Sequence, residues 1–483
     1  MENTSGVLCA VLPLLSEVVE MDNRTKSFLN SLNGKKVALI GIGRSNLPLI
    51  SLFTKYGAKV TACDKRTKEQ LGQQALEAVN AGAELSVGEG YLTELDADIV
   101  FRTPGMRFYM DELVEMRKRG VVVTSEMEVF FDLCPCKIIA VTGSDGKTTT
   151  TTVISEMLKA EGKTVHLGGN IGKPLLPEIE TIESGDYAVV ELSSFQLISM
   201  RNSPDIAVVT NLAPNHLDIH KDMQEYIDSK RNIVLHQNAF SRSVLNLDND
   251  ISNSFSQDVR GTLYKFSRIQ SVENGAYMNE NGDMLFVENG AETFIMNKDD
   301  IKIPGLHNVE NYLAAICAVW GIVSVSAIVK VAKEFGGVAH RNEFVREING
   351  VKYYNDSIAS SPTRTALGTL SLYDEKIIVI LGGYDKHLDY TELGELITKK
   401  VKTAIIMGAT GPKIKAAILS AEGYSENNPV IVEVENMEQA VEAARKAAQK
   451  GDIVSMSPAS ASFDLYKNFE ERGEHFKRIV NAL

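Results

Sequence analysis

The stretch KIIAVTGSDGKTTTTTV, residues 137–153, decides how this chain is read. An apolar run, Ile138 to Val141, breaks at a glycine-bounded turn and passes into a threonine-rich stretch of helical length. A strand, turn and helix of this kind leaves backbone N–H groups at the helix N-terminus, where anions bind. Lys147 adds positive charge and Thr148 a hydroxyl suited to a magnesium ion. Gly143, Ser144, Asp145, Gly146, Lys147, Thr148 and Thr149 are therefore the expected phosphate loop. The common pattern G-x-x-x-x-G-K-[ST] needs glycine at 141, but this chain has Val141 there and an early glycine at Gly143. The match is either accidental or a different version of the motif.

The same alternation runs along the chain. KVALIGIGRSN, KVTACDKR, YAVVELSSF, IAVVTNLAPNH, KIIVILGGYDK, TAIIMGA and DIVSMSPASASFD each put an apolar run before a turn, with helix-length gaps between. Continuous apolar strands alternating with helices predict parallel sheets covered on both faces, with ligands at the strand carboxyl ends. Three blocks are expected: a Rossmann-like domain over 1–132, a central P-loop-type ATPase domain over 133–337, and a second Rossmann-like α/β domain over 338–483. Residues 241–300, rich in Asn, Asp, Ser and Gly, predict a small antiparallel insertion in the mainly parallel central sheet. Gly336 and Gly337 mark the last boundary as a hinge.

Composition narrows the function. The chain has 483 residues, 44% hydrophobic and 23% charged, which supports large cores. Its net charge of -13, without a dense Lys/Arg block, argues against nucleic acid as a partner. Cys9, Cys63, Cys134, Cys136 and Cys317 form no zinc-spaced cluster, and Cys134-Pro135-Cys136 reads as a reduced thiol pair. The apolar segment GVLCAVLPLL follows Glu2 rather than basic residues and is too short to span a bilayer, so no secretory signal or membrane insertion is expected, and a cytoplasmic location is.

Strand ends supply the candidate chemistry. Gly41-Ile42-Gly43 follows one strand and Asp64 closes the next, a spacing suited to a nucleotide ribose, but Asn46 stands at the third fingerprint glycine. Glu191 closes YAVVE and His216 follows IAVVTN; alone, each also reads as structural. Lys230, in EYIDSKRN, reads as a surface helix lysine, and Asn308 as a helix N-cap or a ligand contact sharing a helix face with Asn311.

Taken together and in order, GSDGKTT, GGNIGKPLL, ELSSFQL, NHLD, YIDSKRNI, GLHNVENYLAA, HRNEF, YNDS and SPASASFDLYKNFEERGEHF resemble the muramyl ligases of peptidoglycan synthesis, over nearly all of the chain beyond residue 35. That family's loop has the form A-x-x-G-x-x-G-K-[ST], which Ala140, Gly143, Gly146, Lys147 and Thr148 fit, so Val141 is no defect. The resemblance implies ATP-driven amide formation through an acyl phosphate. The implied small-molecule partners are UDP-N-acetylmuramoyl-L-alanine and D-glutamate, handled by a monomer. It implies two magnesium ions, one served by Thr148 and Glu191, the other by His216 and a carbamylated Lys230. It places Asn308, Asn311, Arg341 and Asp356 about ATP, and gives His340 a catalytic place beside Lys147. It turns the dinucleotide reading of the first block into a UDP reading, with Ser45, Asp64, Arg66, Thr103, Asn170 and Ser193 as contacts. Ser360, Lys386, Ser462 and Phe469 are the implied D-glutamate contacts.

Two residues depart from the family pattern: Ile358 replaces a lysine in NDSIAS, and Asn215 an aspartate in NHLD. A ligase of the same family with another amino acid, a nicotinamide oxidoreductase, or a nucleotide-binding regulator are the competing readings. The last block favours D-glutamate, and an oxidoreductase leaves Lys147, Glu191 and Lys230 without a use.

Overall fold

A computed structural model describes residues 21–214 and 219–483, so the N-terminal apolar segment, Asn215 and His216 lie outside the described residues. The described strands are β1 (Lys36–Ile40), β2 (Lys59–Asp64), β3 (Glu84–Val87), β4 (Ile99–Arg102), β5 (Val122–Thr124), β6 (Lys137–Thr142), β7 (Val165–Gly169), β8 (Tyr187–Glu191), β9 (Ile206–Val209) and β10 (Arg242–Asn246). They continue as β11 (Thr262–Ser267), β12 (Gly275–Met278), β13 (Asp283–Glu288), β14 (Ala291–Asn297), β15 (Glu343–Ile348), β16 (Val351–Asn355), β17 (Ile377–Leu381), β18 (Val401–Ile406), β19 (Val430–Glu433) and β20 (Ile453–Met456). The chain divides into two compact units, Met1–Ile138 with Thr164–Pro204, and Ile139–Lys163 with Asp205–Leu483.

In the first unit β1 to β5 form a parallel sheet in the order β3-β2-β1-β4-β5. Ala38, Ile40, Cys63 and Val100 pack with Leu113 and Met116 of the helix Asp111–Lys118. β7 and β8 of this unit also run parallel. Cys134 and Cys136 are buried free thiols whose sulfurs lie 3.5 Å apart.

In the second unit β6 pairs with β9, β9 with β10, and β10 with β11, all parallel. The expected small antiparallel insertion is present as β12, β13 and β14, and it is narrower than residues 241–300, because β10 and β11 extend the parallel sheet. The helix Asp250–Ser254 and the turn Phe255–Asp258 carry the chain back between β10 and β11, which parallel pairing requires. β12 also joins in parallel after a short loop, because it starts beside Lys265 near the end of β11. Gly275 makes that start possible, with φ 127° and a position where a Cβ would lie 1.9 Å from the Lys265 carbonyl oxygen. The helices Lys147–Ala160 and Leu306–Val319 pack together. After the second helix Trp320 stacks on Phe286, with ring centroids 3.9 Å apart.

β15 to β20 form the third sheet, in the order β15-β16-β20-β17-β18-β19, parallel except for β15. The whole of β17, IIVIL, is buried. Val379 and Leu381 face a core with Leu393, Ile397, Ile414 and Ile418, and Ile378 and Ile380 face Met437, Val441, Phe476 and Val480. Alternation between two covered faces explains why this strand is apolar throughout. No helix among the described residues is long and apolar enough to cross a membrane.

Candidate active site

The phosphate loop is held from below by the end of β9. Ser144 N–H donates to the Asn211 carbonyl (2.7 Å), Asp145 N–H to Asn211 Oδ1 (3.0 Å), and Thr210 Oγ1 to the Asp145 carbonyl (2.6 Å). The Ser144 hydroxyl is engaged with Tyr226 Oη and Ala213, each at 2.9 Å. Gly143 has φ 148°, and a Cβ there would lie 1.9 Å from Thr210 Oγ1. Gly146 is the N-cap of the helix Lys147–Ala160 with φ 77°, and no side chain caps that terminus. The positive end of the helix dipole therefore lies at this loop, where an anion is favoured. Lys147 Nζ curls back to the Ser144 carbonyl at 2.9 Å. Asp145 is exposed, and Thr148 and Thr149 are half-buried in the first helical turn.

Lys230 is not a surface residue, which corrects the reading made from its polar neighbours. On the helix Met223–Leu235 it is 2% exposed. Its Nζ donates to Thr142 Oγ1 (3.1 Å) and the Gly143 carbonyl (3.0 Å), so it sits against the start of the phosphate loop. The N-cap reading of Asn308 is also corrected: Gly305, with φ 100°, takes that position. Asn308 Nδ2 donates to the Pro304 carbonyl (2.6 Å), Asn311 Nδ2 to Asn308 Oδ1 (3.0 Å), and Thr150 Oγ1 to Asn311 Oδ1 (3.2 Å). A Cβ on Gly146 would lie 2.3 Å from Asn311 Oδ1, so the asparagine pair and the loop are one packed group.

In the first unit Glu191 is 2% exposed. Asn170 donates its Nδ2 to Glu191 Oε1 (2.7 Å) and its backbone N–H to the Glu191 carbonyl (2.8 Å). The loop carrying Asn170 is pinned by a residue the sequence did not single out. Glu126 Oε1 accepts the N–H groups of Leu175 (2.8 Å) and Leu176 (2.9 Å). Burial pushes the Glu126 carboxyl up to about 7, against the opposing effect of those two bonds.

At the Rossmann-like turn Asp64 accepts from Ile42 N–H and Arg66 N–H, both at 2.9 Å, and pairs with the Arg66 guanidinium at 2.8 Å. Its carboxyl is held below the usual range by the Arg66 side chain and these amides, which outweigh its desolvation. Thr103 packs against Gly41, Ser45 is half-buried in the turn, and Asn46 donates Nδ2 to the Ile40 carbonyl (2.9 Å). Ser193 caps the helix Ser194–Leu197 in a capping box with Gln196.

Most of the remaining candidates follow the ends of inner strands of the third sheet: Asp356 and Ser360 after β16, Lys386 after β17 and Ser462 after β20. His340 (φ 62°) is buried, accepts at Nδ1 from Asn355 Nδ2 (3.1 Å) and meets the Phe469 ring edge-on at 5.8 Å. Asp356 is buried and accepts from Thr369 Oγ1 (2.5 Å), Ser457 Oγ (3.0 Å) and Asn342 N–H (3.1 Å), with its carboxyl raised by desolvation. Arg341 contributes to the field at Asp356. Ser360 donates its N–H to the Ile358 carbonyl (2.8 Å), Ser462 is buried and Lys386 is exposed.

Among the described residues no three His, Cys, Asp or Glu side chains cluster as a metal site. Magnesium needs no such cage: one or two carboxylates suffice where phosphates and waters complete its octahedron. Glu191 in the first unit offers a buried carboxylate and Thr148 in the second a half-buried hydroxyl, each a donor of the kind magnesium accepts.

The family model described as the Mur ligase middle domain matches residues 141–319, and that of the Mur ligase glutamate ligase domain matches residues 340–460. A UDP-N-acetylmuramoylalanine--D-glutamate ligase of Acetivibrio thermocellus is 50% identical over 468 residues, 96% of this chain and 100% of the relative. One of Clostridium acetobutylicum is 50% identical over 94% of this chain and 98% of its own length. Among solved structures, the UDP-N-acetylmuramate-alanine ligase of Thermotoga maritima shares the fold, with a TM-score of 0.54 at 17% identity, covering 93% of this chain and 99% of that one. A UDP-N-acetylmuramoyl-L-alanyl-D-glutamate--2,6-diaminopimelate ligase does so at 0.54 and 19%, covering 88% and 92%. With a phosphate loop of that family's form at the head of its central helix and near-complete relatives at half identity, the chain belongs to the Mur ligase family, among its UDP-N-acetylmuramoylalanine--D-glutamate ligases.

Proposed function

We propose that this chain joins D-glutamate to UDP-N-acetylmuramoyl-L-alanine at the expense of ATP. The observation that carries the reading is half identity, end to end, with ligases bearing that activity in their names. In this reading residues 1–132 hold the UDP substrate, 133–337 ATP, and 338–483 the amino acid. The protein acts as a cytoplasmic monomer on small molecules.

The physical problem is to bring a carboxylate to a triphosphate. Backbone amides at the start of the helix Lys147–Ala160 and the Lys147 ammonium offset the repulsion between them. A carboxylate oxygen of the muramyl substrate attacks the γ-phosphorus, and ADP leaves. The neutral amine of D-glutamate then attacks the acyl carbon, and phosphate leaves as the C–N bond forms and the amine loses a proton. Asn308 and Asn311 hold the nucleoside end, with Arg341 and Asp356 contributing from the third sheet. Magnesium would supply charge neutralisation on the phosphates, and Thr148 and Glu191 would hold one ion and His216 and Lys230 a second. For the second, Lys230 acts as a carbamate. Carbamylation would remove a buried ammonium and create an anionic oxygen ligand, and what favours it is the burial of Lys230 beside the phosphate loop. Mass spectrometry in bicarbonate is expected to find a labile adduct at Lys230, and its absence would remove this part.

Phosphate release from ATP, with UDP-N-acetylmuramoyl-L-alanine and D-glutamate, L-glutamate or no amino acid, tests the whole. Release requiring both the muramyl substrate and D-glutamate is expected. Release with another amino acid would move the specificity, and none with any amine would leave only nucleotide binding.

A further inference from the structure

Arg472 lies in the first turns of the helix Phe469–Ala482 and is 3% exposed. Its guanidinium is spread over four acceptors: Ser357 Oγ (3.0 Å), the Ser357 carbonyl (2.9 Å), the Ser460 carbonyl (3.0 Å) and the Ala461 carbonyl (3.0 Å). Its hydrogen bonds all go to hydroxyl and carbonyl oxygens, and the Asp464 carboxylate acts on it through its field. Desolvation pulls its pKa down to about 10, so it stays charged at neutral pH at a cost in burial.

The acceptors belong to segments that carry the amino-acid candidates. Ser357 follows β16 and leads to Ser360; Ser460 and Ala461 follow β20 and lead to Ser462. Ser357 Oγ in turn donates to the Phe469 carbonyl at 2.7 Å, which ties in the helix start. The turn after β17, leading to Lys386, is the fourth. Tyr384 N–H donates to the Ala461 carbonyl (2.8 Å), and a Cβ on Gly383 would lie 2.2 Å from that oxygen and 3.0 Å from Arg472 Nη1. β16, β20 and β17 are neighbours in the sheet, so these turns leave from adjacent strand ends. Ala459 sits in this same turn at φ 58°, a conformation that persists only where surrounding bonds over-determine it.

We propose that Arg472 is the positioning residue of the amino-acid pocket: one buried guanidinium sets the mutual placement of the segments bearing Ser360, Lys386, Ser462 and Phe469. An apolar residue of similar volume would fill the space but leave the Ser357, Ser460 and Ala461 acceptors unpaired and the segments that carry them unjoined. A planar fork with five donors is what joins four acceptors from separate turns, and lysine cannot match it.

The inference rests on the proposed ligase activity, so the wild type is assayed first. Full kinetics of R472K, R472M and S357A then give KM for the amino acid, for ATP and for the muramyl substrate, beside thermal unfolding. R472K is expected to raise KM for D-glutamate by at least about tenfold, with both other KM values within about twofold of wild type. S357A, which keeps the carbonyl acceptors, is expected to give about a threefold to fivefold rise. R472M is expected to lose saturation with D-glutamate; if it fails to fold, R472K and S357A carry the test. An unchanged KM for D-glutamate, with only kcat or thermal stability reduced, would overturn the proposal, as would equal rises in all three KM values. If wild type uses another amino acid, the proposed specificity fails and the same comparison is read on that amino acid. If wild type uses none, the ligase reading and this inference both fall.

Discussion

The phosphate loop and the cluster around Arg472, at the strand ends of the third sheet, solve similar problems in opposite ways. Around Gly143 and Gly146 the site is contiguous in sequence, and glycine is demanded because Thr210, just after β9, fills the space beside Gly143 and Asn311 of the helix Leu306–Val319 that beside Gly146. Around Arg472 the site is assembled from turns more than a hundred residues apart, and a long charged side chain fills the space between them. One region is shaped by what is left out and the other by what is inserted. A steric cradle tolerates no addition, whereas a hydrogen-bonded hub tolerates no loss of donors.

That contrast can be pressed experimentally. Lys147→Ala should have the largest effect, lowering single-turnover phosphate release by about a thousandfold, because in the proposed mechanism its charge acts on the transferring group itself. A loss under tenfold would mean that the loop amides alone carry the charge. Gly143→Ala should cost about 2–4 kcal/mol in denaturant unfolding, from overpacking against Thr210 and from its positive φ. A neutral outcome would show the cradle to be pliable.

Glu126 sharpens the comparison with a charge buried for geometry in the first unit. Its carboxyl is raised from 4.5 to about 7, so between those pH values the folded chain binds the proton more tightly than the unfolded chain does. Its contribution to stability is therefore fully present below pH 4.5 and is lost as pH rises through 7, by roughly 3 kcal/mol. The advantage of Glu126→Gln over wild type in unfolding free energy should grow across that window, and a pH-independent difference would contradict it. The smallest effect is expected at the other glycine turn: a Cβ on Gly43 meets nothing within 4 Å, so Gly43→Ala should stay within about 0.5 kcal/mol of wild type.

The same contrast explains what was legible in the sequence. The parallel sheets were, because β6, β9 and β17 are apolar throughout, and the phosphate loop was, because its parts are adjacent. Lys230 was not: YIDSKRN has the polarity of a solvated helix face, and the lysine is buried only because that face lies on Thr142, 88 residues away. Arg472 was hidden likewise among the charges of FEERGEH, and Glu126 looked like an ordinary acidic residue in a first helical turn. Thr210, Asn211 and Tyr226, which anchor the loop, carried one faint signal: a polar pair, Thr210 and Asn211, directly after an apolar strand. The parallel pairing of β10 and β11 depended on the short helix between them, which local alternation within each strand does not record.

The stacking of Trp320 on Phe286 has a practical meaning for all such measurements. Trp320 is the sole tryptophan of the chain, and it follows directly on the helix that begins beside Asn308 and Asn311. Its emission is thus a single-site optical reporter of the central region and is silent about the sheet of the first unit. A melt followed at tryptophan emission and again by far-ultraviolet dichroism would separate the two, and a gap between the curves would count the number of cooperative parts.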